Sequence, residues 1–410
     1  MTVLNDIRVI ELASERISFA GKLMADMGAD VILIEPVTGD PSRQYPPWVD
    51  DEPGEGRSLY FLHYNTGKRS VTLDLDTLEG QARFRQLIAT ADVLLESEAT
   101  TRLGDLGLDY DSLGKIQPGL IHVAVTPYGR NEPLSDLPAT DLTLMAAGGP
   151  PWNCGYDDHS LPPVRGWGNQ GYHTACHFAF MSVLTALLAR HASGRGQFID
   201  VSMVAALNVT TEAGSYNYLV NQSTVQRQTG RHAAVQMTGE TQVLCADSRY
   251  ANTGVPPRTP AEFARLYAWM QEIGMVEGFP EAVFLEMGAN WDGPFDLSQI
   301  GTDDTITAIF MAGREALKRI ASQVSAYDFF TGCQNAGLSV GVIYSPEEVF
   351  EDPHFKARGF QVEVEHEDLG RAIRYPGAPY RLPASPWAIS RRAPRLGEHN
   401  DEVFPQAAAD

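Results

Sequence analysis

Closely spaced cysteines are absent from this sequence. Cys154, Cys176, Cys245 and Cys333 are far apart and form no Cys-x-x-Cys pair. Zinc sites and disulfide frameworks usually show such spacing, so the pattern argues against both and suits a reducing cytoplasm. We expect each of the four to be a small buried apolar residue.

Long hydrophobic runs are also scarce. No apolar run approaches the roughly 18 residues of a membrane-spanning helix. The N-terminal segment MTVLNDIRVIEL lacks a basic region followed by an apolar one. We therefore expect a soluble, cytoplasmic protein that does not work in a membrane.

Positive charge is in short supply. The chain has 31 lysines and arginines against 52 aspartates and glutamates, a formal net charge of −21. Such a surface repels the phosphates of nucleic acids and anionic lipid headgroups. We expect neither nucleic acid nor a membrane as a partner.

Strand-like and helix-like segments alternate along the first half of the chain. With 410 residues and 43% hydrophobic content, the sequence can form two domains or one large domain with an insertion. The predicted strands are IRVIEL (7–12), DVILIE (30–35), SVTLD (70–74), DVLLE (92–96) and LIHVAVT (120–126). Continuous apolar strands that alternate with helices predict an α/β fold, a Rossmann-like parallel sheet covered on both faces. The first strand is followed by ELASERISFAG, so the GxGxxG fingerprint of dinucleotide binding is missing.

Two loops combine turn-forming residues with cations. Residues 39–43 end in Arg43, and residues 65–70 contain Lys68 and Arg69. A cationic loop at the carboxyl edge of a parallel sheet is suited to an anionic ligand, but a solvated turn explains the same residues equally well.

An ordered series of motifs resembles a known enzyme family. The motifs are FAGKLMADMGADVILIEP, GDPSR, NTGKRSVTLDL, ADVLLE, LGLDYDSL, QPGLIHVAVTPYG, SVLTALLARHASGRGQFIDVSM, EEVFEDPHFKARGF and APRLGEHNDEV. In this order they resemble the family III CoA-transferases, which include formyl-CoA and carnitine CoA-transferases and α-methylacyl-CoA racemases. The resemblance covers most of the chain.

The resemblance implies a domain plan and a class of substrate. It implies a large α/β domain over residues 1–225, a small inserted α+β domain over 226–323, and a return segment over 324–410. It further implies an interlocked homodimer, a coenzyme A thioester and a small carboxylic acid as substrates, and no permanently bound cofactor.

The residue that the transferases of this family need most is missing. Their pattern places an aspartate after a glycine, a little over twenty residues before the GRGQ turn. This carboxylate attacks the thioester and forms a mixed anhydride. Counting back from Gly194 gives Gly171 and Tyr172, and no carboxylate occurs in residues 164–198. A phenol, with a pKa near ~10, cannot form that anhydride, so the resemblance is to a divergent member.

Three residues are candidates for chemistry in place of the aspartate. Tyr172 stands where the family has its aspartate, and His173 follows it. An imidazole titrates near neutrality and can act as a base. His177 lies four residues further on the same helical face, but a zinc pair would lack a third ligand, so we predict no metal. Asp141 stands where the racemase branch has a histidine–aspartate pair, with Thr140 in place of the histidine. It is a catalytic candidate or a structural partner and helix N-cap.

The usual contacts to coenzyme A are altered as well. The family's E-N-F turn reads Glu96-Ser97-Glu98, and its later arginine is Asp105, with Arg102 three residues earlier. An anion beside a phosphate lowers affinity. We predict Arg43, Lys68, Arg69 and Arg102 as the cations available to coenzyme A.

Three hypotheses for the function follow. The first is CoA transfer between carboxylic acids with a nucleophile recruited from elsewhere. The second is non-covalent epimerase, isomerase or dehydratase chemistry on an acyl-CoA with His173 and Tyr172 as acid and base. The third is a non-catalytic CoA-binding homologue that serves as a regulatory or scaffold subunit.

Overall fold

The computed structural model of the chain describes residues 2–254, 256–293 and 295–405. It contains two compact units. Unit 1 runs up to Trp152, continues over Val164–Tyr216 and resumes at Asp352. Unit 2 consists of Asn153–Pro163 and Asn217–Glu351.

A six-stranded parallel sheet forms the centre of unit 1. Its strands are β1 (Arg8–Leu12), β2 (Asp30–Glu35), β3 (Arg69–Thr72), β4 (Val93–Glu96), β5 (Ile121–Thr126) and β6 (Gln197–Ser202). They lie in the order β3-β2-β1-β4-β5-β6. In the central strands Ile10 pairs with Ile32 and with Leu94, and all three are buried. Apolar residues on both faces of each inner strand explain this burial, and the predicted α/β fold with a parallel sheet is confirmed.

Helices cover the sheet. In the first part of the chain they are α1 (Ser18–Asp26), α2 (Leu59–Tyr64), α3 (Leu78–Ile88), α4 (Arg102–Asp105), α5 (Tyr110–Ile116), α6 (Asp141–Gly148), α7 (Gln170–Ser193) and α8 (Met203–Val209). The next helix, α9 (Glu212–Asn221), begins in unit 1 and ends in unit 2.

The longest helix, α7, carries one narrow buried face. Ala175, Cys176, Ala179, Val183 and Ala186 recur at helical spacing and are buried in the core of unit 1. Small side chains let α7 pack closely. The helix ends at Gly194, whose φ of 70° is the left-handed cap that glycine adopts most easily.

The length and apolar composition of α7 would also permit a membrane span. The core helix of a water-soluble protein meets the same criterion, so this feature is weak support for membrane insertion.

Unit 2 has its own sheets and core. Its strands are β7 (Gln226–Gln228), β8 (Arg231–Ala234), β9 (Gln242–Leu244), β10 (Tyr250–Thr253) and β11 (Val340–Val342), and its helices are α10 (Pro260–Glu272), α11 (Ala282–Ala289), α12 (Asp304–Ala321), α13 (Ala326–Asn335) and α14 (Pro346–Glu351). Strands β9, β10 and β11 form an antiparallel sheet in the order β11-β10-β9.

The predicted end of the small domain at residue 323 comes too early. Phe329 and Cys333 of α13 are buried in the same core as Ile320 of α12. In addition, β11 pairs with β10. These contacts hold the chain in unit 2 as far as Glu351.

The last segment belongs to unit 1. It contains α15 (Pro353–Arg358), β12 (Gln361–His366), β13 (Arg371–Pro376) and α16 (Asn400–Val403). At the edge strand β3, the Asn400 side chain accepts a hydrogen bond from the Thr72 amide at 2.8 Å, and His399 Nδ1 accepts one from the Ser70 amide.

The cysteines follow the sequence expectation with one exception. Cys176, Cys245 and Cys333 are buried, whereas Cys154 is exposed. Cys154 lies in residues 153–163 of unit 2, where the neighbouring side chains are largely exposed.

Candidate active site

The carboxyl edge of the sheet in unit 1 is where a ligand site is expected. The strand order reverses between β1 and β4, and open α/β sheets bind ligands at such a switch point. Residues 13–17 connect β1 to α1 at this edge, and α7 packs against α1. The start of α7 is therefore the natural place to look for chemistry.

Asp141 is engaged in holding the start of α7. Its carboxylate accepts hydrogen bonds from the amides of Gly171 (2.8 Å) and Tyr172 (3.1 Å), and from Arg165 Nη1 (3.1 Å). The first amides of a helix have no partner within the helix, and this carboxylate satisfies two of them. Asp141 is only 7% exposed. Its predicted role as a structural partner thus agrees with these contacts.

The predicted capping of α6 falls on a different residue. Thr140 is the N-cap of that helix and forms a capping box with Thr143. Asp141 is the first residue of α6 and caps α7 instead. The sequence placed the cap one position too late because both residues are good N-caps.

Tyr172 lies in the core and presents little surface. It is 4% exposed and belongs to the hydrophobic cluster of unit 1. Burial raises the pKa of its phenol, and the nearby Glu15 carboxylate raises it further. At neutral pH Tyr172 is therefore a protonated phenol, which can donate a hydrogen bond but cannot act as a base.

His173 is half-buried and contacts two aromatic rings. Its Nε2 lies 2.8 Å from the Tyr64 hydroxyl, and its ring stacks on Phe19 with centroids 4.3 Å apart. Burial and the neighbouring His177 lower the pKa of His173, so the ring is neutral at pH 7. Burial raises the pKa of Tyr64 to about 12, so its hydroxyl stays protonated beside this neutral imidazole.

His177 also contacts the Phe19 ring, with centroids 5.4 Å apart, but it is more exposed than His173. Its side chain is exposed, and its Nδ1 lies 2.8 Å from the His173 carbonyl oxygen. Within residues 2–254, 256–293 and 295–405, no group of three or more histidines, cysteines, aspartates and glutamates is placed to hold a metal.

A cluster of tyrosines beside α7 was not predicted from the sequence. Tyr45, Tyr60 and Tyr64 form a series of ring contacts with centroid distances of 5.3 and 4.7 Å. Asn169, just before α7, donates a hydrogen bond to the Tyr60 hydroxyl. The i, i+4 spacing of Tyr60 and Tyr64 places both on one face of α2 and was the available signal.

Glu15 is the second residue that the sequence reasoning missed. It follows β1 at the switch point, is half-buried, and accepts a hydrogen bond from Tyr45. Burial raises the pKa of its carboxyl, and Arg16 partly offsets that rise. Its position just after the first strand, at the reversal of strand order, could have identified it.

Two of the four predicted ligand cations are bound within the protein. Both Nε and Nη2 of Arg43 lie 2.7 Å from the Glu35 carboxylate. Lys68 is fully buried, and its Nζ contacts Glu11 at 2.7 Å and the Ser18 carbonyl at 2.9 Å. The expectation that Lys68 lies on a ligand-facing loop is therefore wrong, because it neutralises a buried glutamate.

The other two predicted cations lie in different places. The guanidinium of Arg69 binds the Asp30 carboxylate at 2.8 and 2.6 Å, and Asp30 is the first residue of β2. Arg69 therefore points toward the amino edge of the sheet, opposite to the expected carboxyl edge, because its loop precedes β3. Arg102, at the start of α4, lines a cleft at the carboxyl edge, where it binds Asp76 at 2.7 Å.

Comparison with known proteins identifies the family. Residues 4–400 match CoA-transferase family III. The chain belongs to this family. The sequence is also 32% identical to the succinyl-CoA:(R)-benzylsuccinate CoA-transferase subunit BbsE of Thauera aromatica, over 97% of this chain and 92% of that protein. It is 30% identical to the succinate–glutarate CoA-transferase of Agrobacterium fabrum, over 98% of this chain and 94% of that protein.

The fold is shared with solved structures. A CAIB/BAIF family protein from Brucella suis superimposes with a TM-score of 0.77 at 24% identity, covering 98% of both chains. The family resemblance drawn from the sequence is thus confirmed, and the protein is a CoA-transferase-like enzyme whose relatives use CoA thioesters.

Proposed function

We propose that this chain is the non-nucleophilic subunit of a CoA-transferase that moves coenzyme A from a succinyl-CoA-type donor to a second carboxylic acid. The donor class rests on the names of both relatives above, which include succinyl-CoA or succinate. The word subunit in the name of the Thauera aromatica protein supports an assembly with a second kind of chain.

The observation that carries the proposal is that the start of α7 has no aspartate at the family's nucleophile position, and that the neighbouring Asp141 is already bound to backbone amides. The position that corresponds to the family's aspartate is Tyr172, which is buried. Asp141, the acidic residue in contact with this turn, is committed to two backbone amides and Arg165. A carboxylate held in this way cannot attack a thioester without exposing the amides that it caps.

The covalent step is therefore assigned to a partner chain of the same family. A carboxylate oxygen of that chain attacks the thioester carbonyl, the carbon–sulfur bond breaks, and coenzyme A leaves as the thiolate. The acyl group stays on the partner as a mixed anhydride. The CoA thiolate then attacks the partner's carboxyl carbon of this anhydride, which releases the donor acid and leaves a CoA thioester on the partner. The acceptor carboxylate displaces CoA from that thioester, and the thiolate attacks the acceptor's acyl carbon in the new anhydride, which forms the acceptor CoA ester and frees the partner's carboxylate. This chain contributes the folded surface against which the partner assembles.

Exposed apolar side chains support a pairing surface. Met181 and Leu188, seven residues apart on one face of α7, are 50% and 75% exposed. Apolar surface of this kind is usually covered by another chain. The interlocked homodimer expected from the sequence stays a prediction, and we propose a carboxylate-bearing family member as the second chain in place of a second copy.

An activity assay on purified chains tests the proposal. The full-length chain alone should not transfer CoA from succinyl-CoA to glutarate or benzylsuccinate when the CoA esters are separated by chromatography. Transfer should appear when a family III chain with an aspartate at the start of its long helix is added. It should disappear again when that aspartate is replaced by asparagine. Turnover by this chain alone would overturn the proposal.

One observation favours a second candidate function. The neutral His173 ring, whose Nε2 lies 2.8 Å from the Tyr64 hydroxyl, is a candidate base for non-covalent chemistry at an acyl-CoA α-carbon. Under this alternative the chain alone should exchange deuterium from solvent into an acyl-CoA, and His173→Ala should abolish the exchange. Exchange that persists fully in His173→Ala would eliminate the candidate.

A further inference from the structure

A cleft of about 440 Å³ lies at the carboxyl edge of the sheet in unit 1. Its walls come from the ends of β1 and β2 and from residues that follow β3 and β4, so it lies beside the switch point. Leu12, Ile34, Leu73, Leu75 and Leu103 give it apolar walls. In shape and position it is suited to the nucleotide end of a ligand such as coenzyme A.

The charges at the cleft do not suit the phosphates of coenzyme A. Four carboxylates line it, from Glu35, Asp74, Asp76 and Glu98, against the single guanidinium of Arg102. Arg102 is already paired with Asp76 at 2.7 Å. Glu35 is paired with Arg43 and Asp76 with Arg102, so the ionised carboxylates of Asp74 and Glu98 leave the cleft with a net charge of −2.

Two further arginines at this edge, Arg43 and Arg130, are bound by buried glutamates, whereas Arg16 donates to the Ala139 carbonyl oxygen. Arg43 makes two bonds of 2.7 Å to Glu35, and Arg130 Nη2 contacts both oxygens of Glu96 at 2.6 and 2.7 Å. Both glutamates are fully buried. Releasing either arginine to a phosphate would leave an unpaired charge in the interior, which is strongly unfavourable.

Backbone donors at the same edge are occupied by carboxylates too. The Ser42 amide, in the turn after β2, donates to Asp40 at 2.8 Å. The Glu98 amide, after β4, donates to Glu96 at 2.7 Å. Amides in such turns are the usual alternative to cations for holding phosphate.

We propose that the acidic cleft of this chain excludes the phosphates of coenzyme A, with Asp76 and Glu98 as the residues that determine this exclusion. The inference rests on the proposed function, because in an assembly whose partner chain supplies the nucleophile, the partner chain can also bind CoA. The carboxylates then keep CoA from occupying a site where no acyl transfer can follow.

Calorimetric titration of the full-length chain with CoA tests the inference. The wild-type chain should bind CoA weakly, and its affinity should not fall as salt is raised from about 0.05 to about 0.3 M, because screening weakens a repulsion. Asp76→Lys adds a cation and frees Arg102. At low salt the Asp76→Lys variant should bind CoA about tenfold more tightly than wild type does. This gain in affinity should shrink as the salt concentration rises, because salt screens the added attraction. Adenosine, which has no phosphate, should bind both proteins equally.

A matched control separates the cleft from the net charge of the chain. Glu79→Lys makes the same charge change on α3, at a residue that pairs with Arg83 and does not line the cleft. It should raise CoA affinity far less than Asp76→Lys does. Glu98→Gln serves as a second cleft variant if Asp76→Lys fails to fold, and it should strengthen CoA binding by about threefold.

Two results would overturn the inference. One is tight CoA binding by the wild-type chain that weakens steadily with salt. The other is an equal gain from the control variant and the cleft variants. A chain that bound CoA tightly but still needed a partner for turnover would refute the exclusion and leave the proposed function standing.

Discussion

Replacing Asp141 by alanine tests whether this residue is structural. The substitution removes two hydrogen bonds from backbone amides to a carboxylate, at 2.8 and 3.1 Å, and one contact with Arg165. Loss of a helix-capping carboxylate costs about 0.5–2 kcal/mol, and each buried amide left without a partner costs about 1–3 kcal/mol. Since these contributions overlap, we expect Asp141→Ala to lower the free energy of unfolding by about 3 kcal/mol.

Asp141→Asn and a second variant provide the comparison. The asparagine retains one acceptor for the amides of α7 and should cost about 1 kcal/mol. Asp109→Ala removes a cap that makes a single 2.8 Å bond to the Ser112 amide, and should also cost about 1 kcal/mol.

The assay is urea unfolding at pH 7, followed by circular dichroism. The free energy of unfolding should be highest for wild type, lower and similar for the single variants Asp141→Asn and Asp109→Ala, and lowest for Asp141→Ala. If Asp141→Ala were as stable as wild type while the activity of the assembly vanished, the residue would be catalytic and the structural reasoning would be refuted.

Two further variants probe ion pairs of unit 1. Burial raises the pKa of Glu11 to about 7, and Lys68→Met removes the partner of this carboxylate. We expect the free energy of unfolding, measured in urea, to fall by about 3–5 kcal/mol at pH 8 and by less at pH 6, where Glu11 is protonated. The double variant Glu11→Gln/Lys68→Met should recover the lost stability. Hydrogen bonds from Arg392 lower the pKa of Glu398 to about 2 from its usual 4.5, so the stability from this pair is complete above pH 4.5 and is lost as pH falls toward 2. Glu398→Gln should therefore be less stable than wild type by about 1 kcal/mol at pH 7 and nearly equal to it near pH 2 in the same assay, and an equal difference at both pH values would contradict the pairing.

The sequence predicted the sheet because each inner strand has apolar residues on both faces. DVILIE and DVLLE became β2 and β4 in the positions that a parallel sheet requires. The end of the small domain was harder to place. The burial of Phe329 and Cys333 beside Ile320 and the pairing of β11 with β10 keep this part of the chain in unit 2, and such contacts between separate elements leave no periodic signal.

At the candidate site, residue types were easier to predict than their partners. The absence of a carboxylate in residues 164–198 is visible in the sequence. The partners of Lys68 and Arg43 are glutamates on neighbouring strands, 57 and eight residues away, and only the folded sheet brings them together. Glu15 was missed because its only signal is its position after β1, which gains meaning once the strand order is known.

Trapping the acyl intermediate tests the central claim most directly. The chain is isolated with its natural partner, incubated with succinyl-CoA and treated with hydroxylamine, and the modified carboxylate is located by peptide mass spectrometry. We predict a hydroxamate on a carboxylate of the partner chain and none on this chain. A hydroxamate on any aspartate or glutamate of this chain, such as Glu15 or Asp141, would contradict the account.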